Sequence, residues 1–196
     1  MRAIRVRQRV GGGPNDVELV EAEPTEVGEG EIGILAEYSS LNYKDALALA
    51  GRPGVVRQPE LIAGIDVVGV VQESRDARWR PGDRVIVTGR GLGETRDGGL
   101  AERVVVPGED AVAIPDAFGS RQAAAIGTAG VTAALCVEEL ARAGALGEVV
   151  VTGAGGGVGG IATRLLHAAG ARVTAVTGRA ALADALVELG ADAILP

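Results

Sequence analysis

The stretch VVVTGAGGGVGGIATRLLHAAGARVTAVTGR, residues 149–179, decides how the second half of this chain folds. A valine-rich strand pattern is followed by Gly153, Gly156 and Gly159 at three-residue spacing, and then by a helix pattern and a second strand. In such a turn the first glycine permits the tight bend, the second lets the backbone approach a pyrophosphate, and the third lets helix and strand pack closely. The pattern predicts a dinucleotide-binding βαβ unit, with a purely structural glycine turn as the alternative.

The residues after the second strand indicate which nucleotide binds. Sites for NAD carry Asp or Glu about 20 residues on, at the ribose 2′-hydroxyl, whereas this sequence has Thr177, Gly178 and Arg179 there and no acid. A guanidinium pairs with a 2′-phosphate, and the N–H groups of the helix N-terminus hold the other phosphates. NADPH is therefore favoured, with an ordinary solvated arginine as the alternative. The predicted cofactor-binding residues are Gly153, Gly156, Gly157, Val158, Gly159, Gly160, Ile161, Thr177, Gly178 and Arg179.

The chain as a whole is predicted to be an α/β protein whose N-terminal part is rich in β structure. Short strands separated by turn residues are typical of a small closed barrel. They are predicted at 1–10, 17–20, 31–41, 65–72, 83–89, 99–107 and 111–115. A long helix follows from Ser120, and strand–helix alternation after it predicts a parallel sheet. Those later elements are predicted at 149–152, 157–169, 172–176, 180–189 and 193–195, which gives domains of 1–119 and 120–196.

Composition narrows the classes of partner. The net charge is −7, and the Lys and Arg residues are scattered, which argues against a nucleic-acid surface. The single cysteine, Cys136, cannot form an internal disulfide, and the first ten residues show no signal-peptide pattern. No window approaches 18 uninterrupted apolar residues. We therefore expect a cytoplasmic location and no membrane span.

Five motifs along the chain carry a resemblance to a known family. They are YSSLNYKDALALAG, AGIDVVGVV, GLGETRDGGLAE, IGTAGVTAALCV and VTGAGGGVGG. Together they resemble the medium-chain dehydrogenase/reductase superfamily in its zinc-free quinone oxidoreductase branch, and within that branch the bacterial NADPH-dependent acrylyl-CoA reductases. The resemblance implies a chaperonin-10-like (GroES-like) catalytic domain followed by a Rossmann domain. It also implies an acyl-CoA substrate and hydride transfer from NADPH to acrylyl-CoA, giving propionyl-CoA.

The resemblance bears on the question of a metal. Zinc alcohol dehydrogenases need Cys and His ligands, but this chain has Asn42 and Ile65 at the positions that correspond to them. The only histidine, His167, lies beside Leu165 and Leu166 in a predicted helix, where a packed or half-exposed side chain is expected. The prediction is therefore that no metal is bound.

Without a metal, an enoyl thioester is polarised by hydrogen-bond donors or a positioned acid. The predicted catalytic residues are Asn42, Tyr43, Lys44 and Asp45, which open a helix in the N-terminal domain. By resemblance this turn faces the nicotinamide ribose, and the small Ala46 leaves room for it. Tyr43 supplies a proton or orders the cofactor, and Asp45 caps the helix or orients Lys44; these alternatives stay open, as does packing alone. Arg90 and Arg96 either meet the CoA phosphates or belong to a solvated loop.

The predicted dinucleotide fold is half of a complete one. A full Rossmann domain has about six strands, and three are predicted here, so we expect the chain to be the N-terminal part of a longer reductase. Strand 149–152 is then an exposed edge, and a homodimer is possible if the full-length chain exists. Two alternatives remain open: a nucleotide-binding or interaction fragment without turnover, and an oxidoreductase acting on a quinone or an enal.

Overall fold

The computed structural model describes residues 1–9 and 11–196. The chain divides into two compact units, Met1–Thr128 (unit 1) and Ala129–Pro196 (unit 2). The strand predicted at 1–10 is found at Arg2–Arg7, and Val10 lies outside the described residues.

Unit 1 is built from short antiparallel strands and one short helix. The elements are β1 (Arg2–Arg7), β2 (Asp16–Glu21), β3 (Glu31–Tyr38), α1 (Tyr43–Leu49), β4 (Glu60–Ile62), β5 (Asp66–Ser74), β6 (Arg84–Thr88), β7 (Arg103–Pro107) and β8 (Val112–Ala113). One sheet has the order β2-β1-β4 and the other β7-β3-β5-β6-β8, and all neighbouring strands in both are antiparallel. The predicted β-rich N-terminal domain is therefore confirmed.

The segment between residues 99 and 103 joins the two sheets. The Ile4 N–H donates to the Leu100 carbonyl at 2.9 Å, and the Glu102 N–H donates to the Arg2 carbonyl at 3.0 Å. On the other side, the Ala36 N–H donates to the Glu102 carbonyl at 3.0 Å. This segment was predicted as part of a strand. It makes two backbone hydrogen bonds to β1 and one to β3, which are too few to form a continuous ladder with either strand. These bonds connect β1 of one sheet to β3 of the other.

The core of unit 1 consists of aliphatic side chains that point inward from alternate strand positions. On β3, Ile32 and Ile34 are fully buried, while Leu35 is 48% exposed on the opposite face. The remaining members of the cluster are Val67, Val71, Val85, Val87, Leu92, Val104, Val106 and Ala111. Trp79 packs against this cluster from its edge. Period-two alternation thus fixes which face of each strand is buried.

The long helix α2 (Ser120–Arg142) is interrupted at Gly127, whose φ of 46° and ψ of −155° are not helical. Before the break, Ala123 and Ala124 pack with Val68 and Ile114 of unit 1. The compact unit therefore extends to Thr128, whereas the sequence places the boundary at 119/120.

By length and composition α2 could cross a membrane, since its mean hydropathy is 1.4; the core helices of soluble proteins pass the same test. The break at Gly127 leaves two pieces, neither of which reaches the roughly 20 residues that a span requires. The absence of a membrane span stays a prediction.

Unit 2 contains a three-stranded parallel sheet with helices between the strands. Its elements are β9 (Glu148–Thr152), α3 (Gly157–Ala168), β10 (Arg172–Val176), α4 (Ala183–Glu188) and β11 (Ala193–Leu195). The order β11-β10-β9 is parallel throughout and leaves β9 at one edge, with Val150 62% exposed. The helix predicted at 180–189 is a 3₁₀ turn over 180–182 followed by α4. The predicted three-stranded parallel sheet is confirmed.

Adjacent positions on β3 provide a test of the core. We expect Ile34→Ala to lower the free energy of unfolding of unit 1 by about 2–5 kcal/mol, because a buried side chain is lost and a cavity remains. Leu35→Ala, one residue on and half exposed, is expected to change it by about 0.5 kcal/mol. Urea unfolding followed by Trp79 fluorescence measures both. Equal losses for the two variants would contradict the assigned register.

Candidate functional site

The first turn of α1 carries the predicted catalytic residues. Asn42 precedes the helix in extended backbone geometry (φ −111°, ψ 158°) and forms a capping box with Asp45. The Asp45 Oδ2 accepts the Asn42 N–H at 2.7 Å, and Asp45 Oδ1 accepts the Ile65 N–H at 3.0 Å. Of the two alternatives predicted for Asp45, the geometry matches helix capping.

Asp45 is only 3% exposed. Burial raises the pKa of its carboxyl group, and the charge of Asp66 adds to this, while the hydrogen bonds from Asn42 and Ile65 act in the opposite direction. The folded state therefore binds this proton more tightly than the unfolded chain does. The contribution of Asp45 to stability is fully present below the usual aspartate pKa and is lost as the pH rises through the raised value.

Asp66 is a functional candidate that the sequence reasoning missed. It is fully buried at the start of β5, and its carboxylate accepts four hydrogen bonds. Asn42 Nδ2 donates at 2.9 Å, the Thr128 N–H at 2.9 Å and Thr128 Oγ1 at 2.5 Å, and Ser40 Oγ is the fourth donor. A buried carboxylate is costly unless donors satisfy it. The detectable signal was an acid that opens the otherwise apolar run DVVGVV.

The other predicted residues of the turn differ in accessibility. Tyr43 is 79% exposed, and its hydroxyl makes no hydrogen bond within residues 1–9 and 11–196. The Lys44 ammonium pairs with Glu94 Oε1 at 2.6 Å, so a neighbouring loop already holds it. Ala46 is exposed on the same helix. Tyr43 and Ala46 are therefore open to a ligand, whereas Lys44 is engaged.

Two further arginines of unit 1 are ion-paired. Arg96 Nη2 lies 2.5 Å from Asp110 Oδ2, and Arg90 Nε lies 3.6 Å from Asp110 Oδ1. Neither guanidinium is thus an unpaired cation for the CoA phosphates. The described part of the chain contains no group of three or more His, Cys, Asp or Glu side chains that could hold a metal ion. His167 lies exposed in the last turn of α3.

The glycine turn of unit 2 is tightly constrained. Gly153 adopts a φ of +61°, and Gly156 caps α3 in extended geometry. A Cβ at Gly159 would lie 2.5 Å from the Gly153 carbonyl oxygen and 2.7 Å from Ala154 Cα. The first helical bond runs from the Gly160 N–H to the Gly156 carbonyl at 2.9 Å. The N–H groups of residues 157–159 therefore have no acceptor within the helix and point out of its N-terminus.

The residues after β10 lie against this turn. Arg179 Nη2 donates to the Gly155 carbonyl at 2.5 Å, and the Arg179 N–H donates to Thr177 Oγ1 at 3.2 Å. A Cβ at Gly155 would lie 2.9 Å from Arg179 Nη2. Gly155 was absent from the predicted set, because its constraint comes from residues more than 20 positions away. Gly178 is exposed beside Arg179, and no carboxylate among the described residues pairs with Arg179.

These residues fit a dinucleotide. Free N–H groups and the positive end of the α3 dipole suit a pyrophosphate, and the glycines leave the backbone accessible. The guanidinium of Arg179 at the end of β10 suits a 2′-phosphate. Val158 is 40% exposed at the helix N-terminus, and Gly160 and Ile161 follow half-buried in the next turn.

The chain is similar to known proteins along its whole length. The sequence model of the alcohol dehydrogenase GroES-like domain matches residues 28–116. The probable acrylyl-CoA reductase AcuI of Escherichia coli is 44% identical over 199 residues, which cover 100% of this chain and 61% of that protein. The structure of an oxidoreductase from Salmonella enterica in complex with NADP superposes with a TM-score of 0.92 at 45% identity, covering 100% of this chain and 60% of that one.

The relatives and solved structures that match this chain are oxidoreductases of the medium-chain dehydrogenase/reductase superfamily. A third relative supports the quinone oxidoreductase branch. The putative quinone oxidoreductase YhfP of Bacillus subtilis is 46% identical over 165 residues, which cover 83% of this chain and 50% of that protein. The structure of the Bacillus subtilis protein yhfP, with NAD bound, gives a TM-score of 0.89 at 40% identity, covering 99% of this chain and 59% of that one. The chain spans about 60% of the length of the first relatives it matches.

Two neighbouring glycines of α3 test the tight turn. We expect Gly159→Ala to destabilise unit 2 by about 1–3 kcal/mol, because its Cβ has no room beside the Gly153 carbonyl. Gly160→Ala is the matched control, since its Cβ would meet only ordinary contacts at 3.5 Å and alanine favours the helix by up to about 1 kcal/mol. Thermal unfolding and NADPH affinity are measured for both. A Gly159→Ala variant as stable and as tight-binding as Gly160→Ala would refute the assignment.

Proposed function

We propose that this chain carries out the cofactor-binding part of an NADPH-dependent oxidoreductase that reduces an enoyl thioester, acrylyl-CoA, to propionyl-CoA. The observation that carries the proposal is the position of Arg179. Its guanidinium lies on the Gly155 carbonyl beside the free N–H groups of α3, with no carboxylate partner among the residues described. The names of the Escherichia coli relative and of AcuI from Ruegeria pomeroyi, which is 41% identical over 186 residues, support this substrate.

Unit 2 has a binding role in this proposal. The N–H groups of residues 157–159 hold the pyrophosphate of the cofactor. The guanidinium of Arg179 binds the 2′-phosphate. It either breaks its hydrogen bond to the Gly155 carbonyl or keeps that bond and uses its remaining N–H groups. Thr177, only 7% exposed, fixes the Arg179 backbone through its hydroxyl.

Unit 1 has a chemical role. NADPH supplies the hydride that forms the new C–H bond at the β-carbon of the enoyl thioester. The α-carbon then takes a proton, for which the exposed Tyr43 hydroxyl is the candidate donor. One side-chain N–H of Asn42 donates to Asp66, and the second is available to donate to the thioester carbonyl or the cofactor. Asp45 stabilises the turn by accepting the Asn42 N–H. Lys44 is paired with Glu94, so its role is to position the turn and not to contact the substrate.

A quinone or enal oxidoreductase is the second candidate. It is favoured by the likeness to the Bacillus subtilis protein, whose name is putative quinone oxidoreductase and whose structure holds NAD. The two candidates share the fold and the glycine turn and differ in the acceptor. A cytoplasmic location is proposed for either.

The choice of substrate is tested by cofactor oxidation. The chain is mixed with NADPH and, in separate assays, with acrylyl-CoA, a quinone or a 2-alkenal, and the loss of the reduced cofactor is followed by absorbance. We expect the highest kcat/KM with acrylyl-CoA. Higher turnover with the quinone or the alkenal would favour the second candidate. NADPH binding without any turnover would leave a nucleotide-binding module.

The choice of nucleotide is tested at Arg179. We expect Arg179→Ala to weaken NADPH binding about 10- to 100-fold, since one charge-assisted bond to a phosphate contributes about 1.5–3 kcal/mol, and to leave NADH binding nearly unchanged. Arg172→Ala is the control, because Arg172 begins β10, the strand after which Arg179 lies, and its side chain is 71% exposed. Fluorescence titration with both nucleotides measures the Kd values. Equal losses for NADPH and NADH, or no loss for either, would show that Arg179 does not read the 2′-phosphate.

A further inference from the structure

One carboxylate oxygen, Asp66 Oδ2, gathers three donors from two separate segments. Ser40 Oγ and Asn42 Nδ2 come from the loop before α1, and the Thr128 N–H comes from α2. Asp66 Oδ1 accepts the Thr128 hydroxyl. Ser39 Oγ donates to the Asp66 backbone carbonyl at 2.8 Å, so three hydrogen bonds tie the loop to the start of β5.

The break in α2 is fitted to this carboxylate. At Gly127 a Cβ would lie 2.5 Å from Ser40 Oγ and 2.7 Å from Asp66 Oδ2, and the residue has a positive φ of 46°. Only glycine fits that space and that conformation. Because of the break, the Thr128 N–H has no acceptor within the helix and donates to the buried Asp66 carboxylate instead. This carboxylate lies at the N-terminus of the remaining helix, where a negative charge is favourable.

The same carboxylate sets the direction of the Asn42 side chain. With one N–H of the amide committed to Asp66 Oδ2 at 2.9 Å, rotation of the amide is blocked and the second N–H of that nitrogen points in a fixed direction. Asn42 itself is half-buried and caps the helix that carries Tyr43. A group held in this way keeps its geometry without reorganising during a reaction.

We propose that Asp66 is a positioning residue for the reaction, acting through the Asn42 amide and, through the capped turn, on Tyr43. The inference rests on the proposed function, because it gives Asn42 and Tyr43 their roles. Asp66 is too deeply buried to touch a substrate, so it acts only through the groups that it holds. With the second Asn42 N–H on the thioester carbonyl, its effect appears on the turnover step and not on nucleotide affinity. A misplacement of about 1 Å at a reacting group costs up to about 100-fold in rate.

The first variants are Asp66→Ala, Asn42→Ala and the double variant. We expect Asp66→Ala to lower kcat about 10- to 100-fold, with the KM for NADPH changed by less than about twofold, and to expose the Asn42 side-chain amide to hydrogen exchange in NMR. The double variant should be no slower than Asn42→Ala, because both changes remove the same positioned group. Losses that multiply in the double variant would overturn the proposal. Asp97→Ala, which removes the acceptor of the Ile62 N–H elsewhere in unit 1, controls for general loosening.

A conservative variant covers the case in which Asp66→Ala does not fold. In Asp66→Asn the amide oxygen replaces Oδ2, and the Thr128 hydroxyl turns to accept from the new NH₂ group, so we expect protection of the Asn42 amide and kcat within about threefold of wild type. A folded Asp66→Asn with Asn42 still protected and kcat more than tenfold lower would refute a positioning role. If wild type shows no turnover with any acceptor, the proposed function fails. The exchange of the Asn42 amide in Asp66→Ala or Asp66→Asn then decides the positioning separately.

Discussion

The buried carboxylate of Asp66 is the constraint on which the arrangement of the candidate active site depends. An isolated charge in that position would be strongly unfavourable, and four donors from Ser40, Asn42 and Thr128 offset the cost. Because the donors come from distant parts of the chain, satisfying this one group fixes the loop before α1 and the break at Gly127 together. The turn that carries Tyr43 is therefore positioned by the hydrogen bonds of a buried carboxylate, within a unit whose core is otherwise aliphatic.

In unit 2, the few residues of the glycine turn meet more than one structural requirement. The contact of Gly159 with the Gly153 carbonyl sets how closely α3 approaches β9, and the positive φ of Gly153 sets the direction in which the chain turns. As at the N-terminus of any α-helix, the N–H groups of residues 157–159 have no acceptors inside α3. Arg179 then adds a positive charge at the same turn. The packing requirements and the proposed phosphate recognition therefore fall on the same residues, which is why a nucleotide site can be predicted from a short stretch of sequence.

Patterns within short stretches of sequence predicted the helices and strands well. They did not predict the features that depend on contacts between distant parts of the chain. The strand at 172–176, the parallel sheet and the start of α2 at Ser120 agree with the structure, since each follows from a hydrophobic period or a turn residue within a few positions. The short strand β4 has too few residues to show a period. The roles of Asp66 and Gly155 depend on partners 24 to 62 residues away, as in Gly155–Arg179 and Asp66–Thr128. No spacing rule within one segment could reveal them.

An NADPH site formed by α3 and Arg179 is central, because the proposed reaction needs it whatever the acceptor. The most direct measurement is a ¹H–¹⁵N NMR titration of the chain with NADPH and, in parallel, with NADH. We expect saturable shifts at the amides of Gly157, Val158 and Gly159 with both nucleotides, and shifts at Arg179 with tighter binding for NADPH. Unchanged α3 amides at saturating NADPH, or equal affinity for the two nucleotides, would contradict the presence of this site.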